Sequence, residues 1–350
     1  MENKFKKIGF AGLDHLGLSS IVTTADKGFT VIGYHHNAMK ISELKKGKIS
    51  IIEPGLKKLL LKNRKKISFS SNSKSLSECK IVYISLDVYT DASGKSDLNP
   101  VKKIIKDVTK VLNKNTILII LSQVPPGFTR KIKWNKKKLF YQVEILIFGN
   151  AINRALYPDR LIIGCSNFPS SIDNKLKIFL RKFNCPILCM RYESAEFAKI
   201  SINTCLSSTI TTTNILAELC EKIGADWSEI IPALKMDKRI GQHAYIKPGL
   251  GISGGNLERD LNNVVDLAEK YKINNRSIKA MILNSQYSKN WAWRQLKELV
   301  LKNKKKPKIC LLGLSYKENT SSIKNAPSIN LLAKLKKYNV SVFDPAVPID

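Results

Sequence analysis

Apolar positions in this chain gather into short, nearly unbroken runs, separated by stretches with a three-to-four-residue rhythm. The clearest runs are KIGFAGLD (7–14), FTVIGYHH (29–36), KIVYISL (80–86) and TILIILS (116–122). Runs that are apolar on both sides of the pleat predict strands buried from above and below, as in a parallel sheet. The segments between them, such as residues 100–112, predict helices, so the alternation predicts a parallel α/β domain. That domain continues through YPDRLIIG (157–164) to about Cys189.

Residues 194–224 predict one long helix. Ser194 can cap it, Gly224 follows its end, and Phe197, Ile200, Leu206, Ile210, Ile215 and Leu219 repeat at roughly helical spacing. Further helices are expected to about Val300. The run KNKKKPK (302–308) reads as a linker, followed by a strand at 309–314, a helix near 327–337 and a strand at 339–344. The expected division is 1–190, 191–300 and 301–350.

At 350 residues the chain exceeds one ordinary domain, and 43% hydrophobic content is enough for real cores. No apolar run reaches the ~18 residues of a membrane span. The start, MENKFKKIGFAGL, leads into a strand rather than a signal segment, so a cytoplasmic protein is expected, with no membrane partner. Seven scattered cysteines without paired CxxC spacing suit reduced thiols and no metal site. The net charge of +31 has two readings. One is a nucleic-acid partner. The other, favoured because no aromatic residues interleave the lysines for stacking, is compositional drift whose positive field attracts anionic nucleotides.

Chemistry concentrates in KPGLGISGGNLERD (247–260). Glycine lets backbone approach a ligand or take positive φ. A helix starting just after Gly255 would aim free N–H groups at that ligand. Asn256 and Asp260, four apart, would share one helix face.

That stretch is similar to the sugar-binding loop PGxGFGGSCFPKD of the UDP-glucose/GDP-mannose 6-dehydrogenase family. Other motifs match in family order: the glycine turn near residue 9, EPGL (53–56), SDL (96–98), SQVPPGFT (122–129), YPDRLIIG, SAEFAK (194–199), Asn203, MDKRIG (236–241), GLSYK (313–317) and FDP (343–345). The resemblance spans essentially the whole chain. It implies an N-terminal NAD-binding Rossmann domain, a central helical domain that forms a homodimer, and a C-terminal Rossmann-like domain for the UDP moiety. Of that last domain only two strands and about one helix are expected here. The implied activity is NAD-dependent oxidation of the C6 hydroxyl of a UDP-glucose-like nucleotide sugar, toward aldehyde or uronic acid, for polysaccharide synthesis. The alternatives are a catalytically impaired nucleotide-sugar-binding relative and a basic nucleic-acid-binding protein.

The resemblance also assigns roles. Lys199 and Asn203, at i and i+4, would stabilise oxygen charge on the reacting carbon. Asp260 and Glu144 would handle protons. Arg239, Gly251, Gly254, Gly255, Lys317 and Lys324 would contact the substrate, a solvated role being the alternative for the cations. Gly12, Asp14, Leu16, Gly17, His35 and Gln123 would surround the cofactor. Three departures stand out. Asp14 occupies the second glycine of GxGxxG, where bulk and negative charge oppose a phosphate. His35 occupies the acidic position that ends the second strand, which leaves NADP as an alternative to NAD. Asn256 occupies the nucleophilic cysteine, and an amide cannot form a thioester.

Overall fold

The strands of the N-terminal half pair in the order a doubly wound sheet requires. The computed structural model of the chain describes residues 7–89, 91, 96–167, 172–304 and 306–348. It divides into compact units of residues 1–199 and 200–350.

In the first unit, β1 (Lys7–Ala11), α1 (His15–Asp26), β2 (Thr30–Tyr34), α2 (Ala38–Lys45), α3 (Leu56–Lys62) and β3 (Ile67–Ser70) form one half of the sheet. β4 (Ile81–Ile84), α4 (Asn99–Thr109), β5 (Ile117–Ile120), β6 (Leu139–Gln142), α5 (Ala151–Leu156), β7 (Leu161–Cys165), α6 (Asn174–Arg181) and β8 (Ile187–Arg191) form the other. The order is β3-β2-β1-β4-β5-β6-β7-β8. All neighbours are parallel except β6 and β7. β4 and β5 are buried at every position, as their unbroken apolar runs predict. Strand order reverses between β1 and β4, so the turn after β1 and the loop after β4 flank the crevice where such sheets take ligands.

The helix α7 (Tyr192–Ile223) begins directly after β8, so Ser194 lies inside it rather than capping it. Gly224 follows its end with φ +77°, the left-handed conformation that stops a helix. The second unit continues with α8 (Trp227–Met236), α9 (Asn256–Lys270), α10 (Arg276–Lys289) and α11 (Trp291–Leu296). A parallel pair closes it: β9 (Lys308–Leu312), α12 (Pro327–Lys334) and β10 (Asn339–Phe343). Lys305, in the expected linker, lies outside the described residues.

Asp344, just after β10, ties this small α/β piece together. Its carboxylate accepts from the amides of Leu314 (2.6 Å), Ser315 (3.1 Å), Ala346 (2.8 Å) and Val347 (2.8 Å). Those four donors favour the ionised form and hold its pKa well below the usual carboxylate range.

Candidate functional site

The turn between β1 and α1 is built for close approach. Gly12 has φ +107°, and a Cβ there would lie 2.6 Å from the Leu86 amide nitrogen. A Cβ on Gly17 would lie 1.9 Å from the Gly12 carbonyl, so only glycine lets α1 pack this tightly on the turn. Asp14 precedes α1 but makes no side-chain cap. Its carboxylate instead accepts from Lys40 Nζ of α2 at 2.7 Å. The charge that looked obstructive from sequence is therefore drawn aside and paired.

Behind the turn, buried Glu53 of EPGL is a hub. It accepts from His15 Nε2 (2.8 Å) and from the amides of Gly149 (2.9 Å) and Ala151 (2.8 Å). The His15 ring stacks on Phe148 at 4.1 Å. Phe148 is thus a packing residue of the turn. In front of the turn the His15 amide donates to Asp87 Oδ2 at 3.0 Å, and the Leu16 amide also hydrogen-bonds that carboxylate. Asp87 stands on the loop after β4. Although its surface is accessible, desolvation by the surrounding protein, then repulsion from Asp14 and Glu144, pushes its carboxyl up to about 6.

His35 follows β2. Its Nδ1 accepts from the Asn37 amide at 3.1 Å and its ring stacks on His36 at 4.5 Å. Partial burial, then the nearby charges of Lys40 and His36, lower its pKa to about 4, so it is neutral near pH 7. A neutral ring offers a ribose hydroxyl a donor at Nε2 but offers a 2′-phosphate no charge. Gln123 is half-buried just beyond β5.

Still within the first unit, Lys199 Nζ lies 3.3 Å from Glu144 Oε2, both side chains about 15% exposed. Glu144 also accepts from the Leu146 amide. Nearby, buried Glu196 accepts from the amides of Gly127 and Thr129 (2.7 Å), fixing the PPGFT loop against α7. Burial is the main cause that raises its pKa.

In the second unit α9 starts at Asn256, directly after Gly255. Asn256 is exposed in the first turn, whereas Asp260 is fully buried. Asp260 accepts from Asn203 Nδ2 at 2.6 Å and from buried Arg259 Nε at 3.1 Å. The glycine loop is held from three sides. The Gly249 amide donates to Asn214 (2.8 Å) and the Ile252 amide to Ser285 Oγ (2.8 Å). Gly251 has φ +74°, and a Cβ there would lie 2.5 Å from the Ser285 carbonyl. The Tyr316 ring lies over Gly254, and the Lys324 stem lies over Gly255. Lys317 stands beside the Tyr316 ring, its Nζ 5.5 Å from the centroid. Glu258, on the first turn of α9, meets Lys289 and Asn325, and Asn325 Nδ2 also donates to the Gly254 carbonyl at 3.2 Å. Arg239, by contrast, is 89% exposed and forks onto Asp237.

Residues 6–183 match the NAD binding domain of the UDP-glucose/GDP-mannose dehydrogenase family, and residues 193–286 match its central domain. The chain belongs to that family. A UDP-glucose 6-dehydrogenase of Rickettsia bellii is 30% identical over 97% of this chain and 80% of its own length. UDP-glucose 6-dehydrogenase TuaD of Bacillus subtilis is 29% identical over 98% and 77%. Among solved structures, a UDP-glucose dehydrogenase from Pyrobaculum islandicum superposes with TM-score 0.86 at 24% identity, covering 99% of this chain and 83% of that one. UDP-D-ManNAc dehydrogenase from Pyrococcus horikoshii gives 0.84 at 23%, covering 98% and 84%.

Family membership makes residues 6–183 the NAD binding domain, and the turn between β1 and α1 lies within it. Gly12 and Gly17 allow the tight packing of α1 on the turn after β1, and Asp14 is turned to Lys40. Sequence reasoning missed Lys40, Glu53's hub, Asp87, Arg259, Asn214, Ser285 and Asn325. Glu53 and Arg259 lie inside motifs that the sequence singled out, and a polar stripe on α7 signalled Asn214: Asn203, Ser207, Thr211 and Asn214 are all buried, at spacings of four, four and three.

Proposed function

We propose that this family member oxidises the C6 hydroxyl of a nucleotide sugar of the UDP-glucose type with NAD as acceptor. The observation that carries this reading is the Lys199–Glu144 pair, a cation and a carboxylate in contact and largely withdrawn from solvent. Lys199 would hold negative charge on the substrate oxygen as its proton leaves. Glu144 would accept that proton, directly or through water. Asp260 would act as a positioning residue, because Asn203 and Arg259 already engage it.

NAD, when bound, supplies the hydride acceptor. The turn from Gly12 to Gly17, neutral His35 and Gln123 would hold it, and His35 disfavours the 2′-phosphate of NADP. Gly251, Gly254, Gly255, Lys317 and Lys324 would line the sugar-nucleotide site. Arg239, as placed, supports a solvated role. The same proposal divides the chain into a dinucleotide domain (1–190), a helical domain (191–300) and a short UDP-sugar segment (301–350).

Asn256 limits the chemistry. At the start of α9 it can orient a carbonyl but form no thioester, which closes the covalent route to the acid; of the two remaining outcomes, release of the aldehyde and direct oxidation of its hydrate, the proposal takes the aldehyde. Among the described residues no helix is long and apolar enough to cross a membrane. A second copy of the chain is the partner that suits α7, where Ile215, Leu219 and Ile223 expose 48, 50 and 67% of their surface at i, i+4 and i+8. The test of the activity is spectrophotometric. NAD and UDP-glucose should yield NADH with the native chain and not with Lys199→Met.

A further inference from the structure

The amides that open α1 already hold an anion. In a doubly wound sheet the dinucleotide's pyrophosphate docks on the N-terminus of the helix that follows the first strand, where unpaired N–H groups and the helix dipole favour negative charge. Here the first of those donors, the His15 amide, lies 3.0 Å from the Asp87 carboxylate. The second, the Leu16 amide, also serves Asp87. These are the two residues between the second and third glycine positions of the turn. Asp87 comes from the far side of the strand-order switch, on the loop after β4.

We infer that Asp87 is an internal stand-in for the pyrophosphate: its carboxylate competes with NAD for the amides of His15 and Leu16, and cofactor affinity rises when that carboxylate is neutralised. The inference rests on reading this turn as the NAD site.

The charged surroundings set the direction. Asp14 and Glu144 face Asp87 and disfavour its ionised form, while His15 favours it. Of the nearby basic groups, Lys40 is paired with Asp14 and His15 is engaged by Glu53, so neither is committed to Asp87. A carboxylate so placed takes up its proton near pH 6, well above an ordinary aspartate. The protonated acid is a weaker acceptor for the amides and no longer repels a phosphate. If only this neutral form admits NAD, the apparent Kd grows roughly tenfold for each pH unit above that value.

The experiment is calorimetric titration of the full chain with NAD from pH 5 to 8, on the native protein, Asp87→Asn and Asp87→Ala. The expected result is native affinity that falls as pH rises. Both variants should bind with little pH dependence, at least about tenfold more tightly than native at pH 8, and match it near pH 5. Variants that bind no more tightly than native at pH 8 would overturn the inference. So would a flat native profile, which needs no variant to fold. If none of the three proteins binds NAD at any pH, the cofactor reading itself fails and this inference with it.

Discussion

Asn203 and Asp260 are locked together across α7 and α9: the amide Nδ2 donates to the carboxylate at 2.6 Å, and Asp260 exposes none of its surface. Arg259 completes the cluster at 3.1 Å. A charge this deeply buried is tolerated because its partners meet it, so removing it deprives a buried amide and a buried guanidinium of an acceptor. Asp260→Ala should therefore cost about 3–5 kcal/mol of stability. Chemical denaturation checks this; a loss below ~1 kcal/mol would show the cluster to be solvated in solution.

Lys199 faces Glu144 at 3.3 Å, and the account gives the two different work. Lys199→Met should lower kcat by about 10²–10³ with NAD affinity unchanged. Glu144→Gln should lower kcat by about 10²–10⁴ and flatten the acid limb of the rate profile. Steady-state kinetics beside thermal denaturation separates this from a structural pair, for which thermal stability would fall together with rate.

Gly251 combines φ +74° with a position where a Cβ would meet the Ser285 carbonyl at 2.5 Å. Gly251→Ala has to move the loop or distort Ser285, at a cost of about 1–3 kcal/mol. The loop is the proposed sugar-nucleotide site, so KM for the nucleotide sugar should rise at least about tenfold while NAD binding stays native. A KM that does not change would remove this loop from the site.

Asp344 gives stability a definite pH dependence. Its four amide donors depress the native pKa below the unfolded one. Its contribution is therefore fully present above the ordinary aspartate value of about 4 and is lost as pH falls through the lower native value. Asp344→Asn should be less stable than native at neutral pH, and the difference should shrink as pH falls below about 4. Melting temperatures compared at pH 7 and pH 3 check the sign; a difference independent of pH would assign the effect to packing.

Much of the fold was legible in the sequence because parallel strands are buried on both faces. β4 and β5 announce themselves as unbroken apolar runs. β3, with one buried position in ISFS, and β6, which pairs antiparallel with β7, carried no such signature. The start of α9 was legible because glycines and a helix onset are local. The onset of α7 was not, since it follows β8 without a capping residue at Ser194. Within the site, glycine positions and the Lys199/Asn203 spacing are local patterns and could be read. Contacts such as His15 to Asp87, 72 residues apart, or Lys40 to Asp14, 26 apart, are fixed only by strand order. For that reason Asp14 looked like an obstruction until its partner was seen, and Asp87 left no trace in any motif.

Asn256 makes the most specific claim about the reaction. It is exposed in the first turn of α9, where free amides and the helix dipole would also depress the pKa of a thiol. The decisive measurement is the NADH formed per nucleotide sugar consumed, followed by absorbance with excess NAD and limiting UDP-glucose or a related UDP- or GDP-sugar. The account predicts one NADH per sugar and an aldehyde product. Two per sugar would contradict the role given to Asn256, and none with any of these sugars, from protein that binds NAD, would contradict the proposed function.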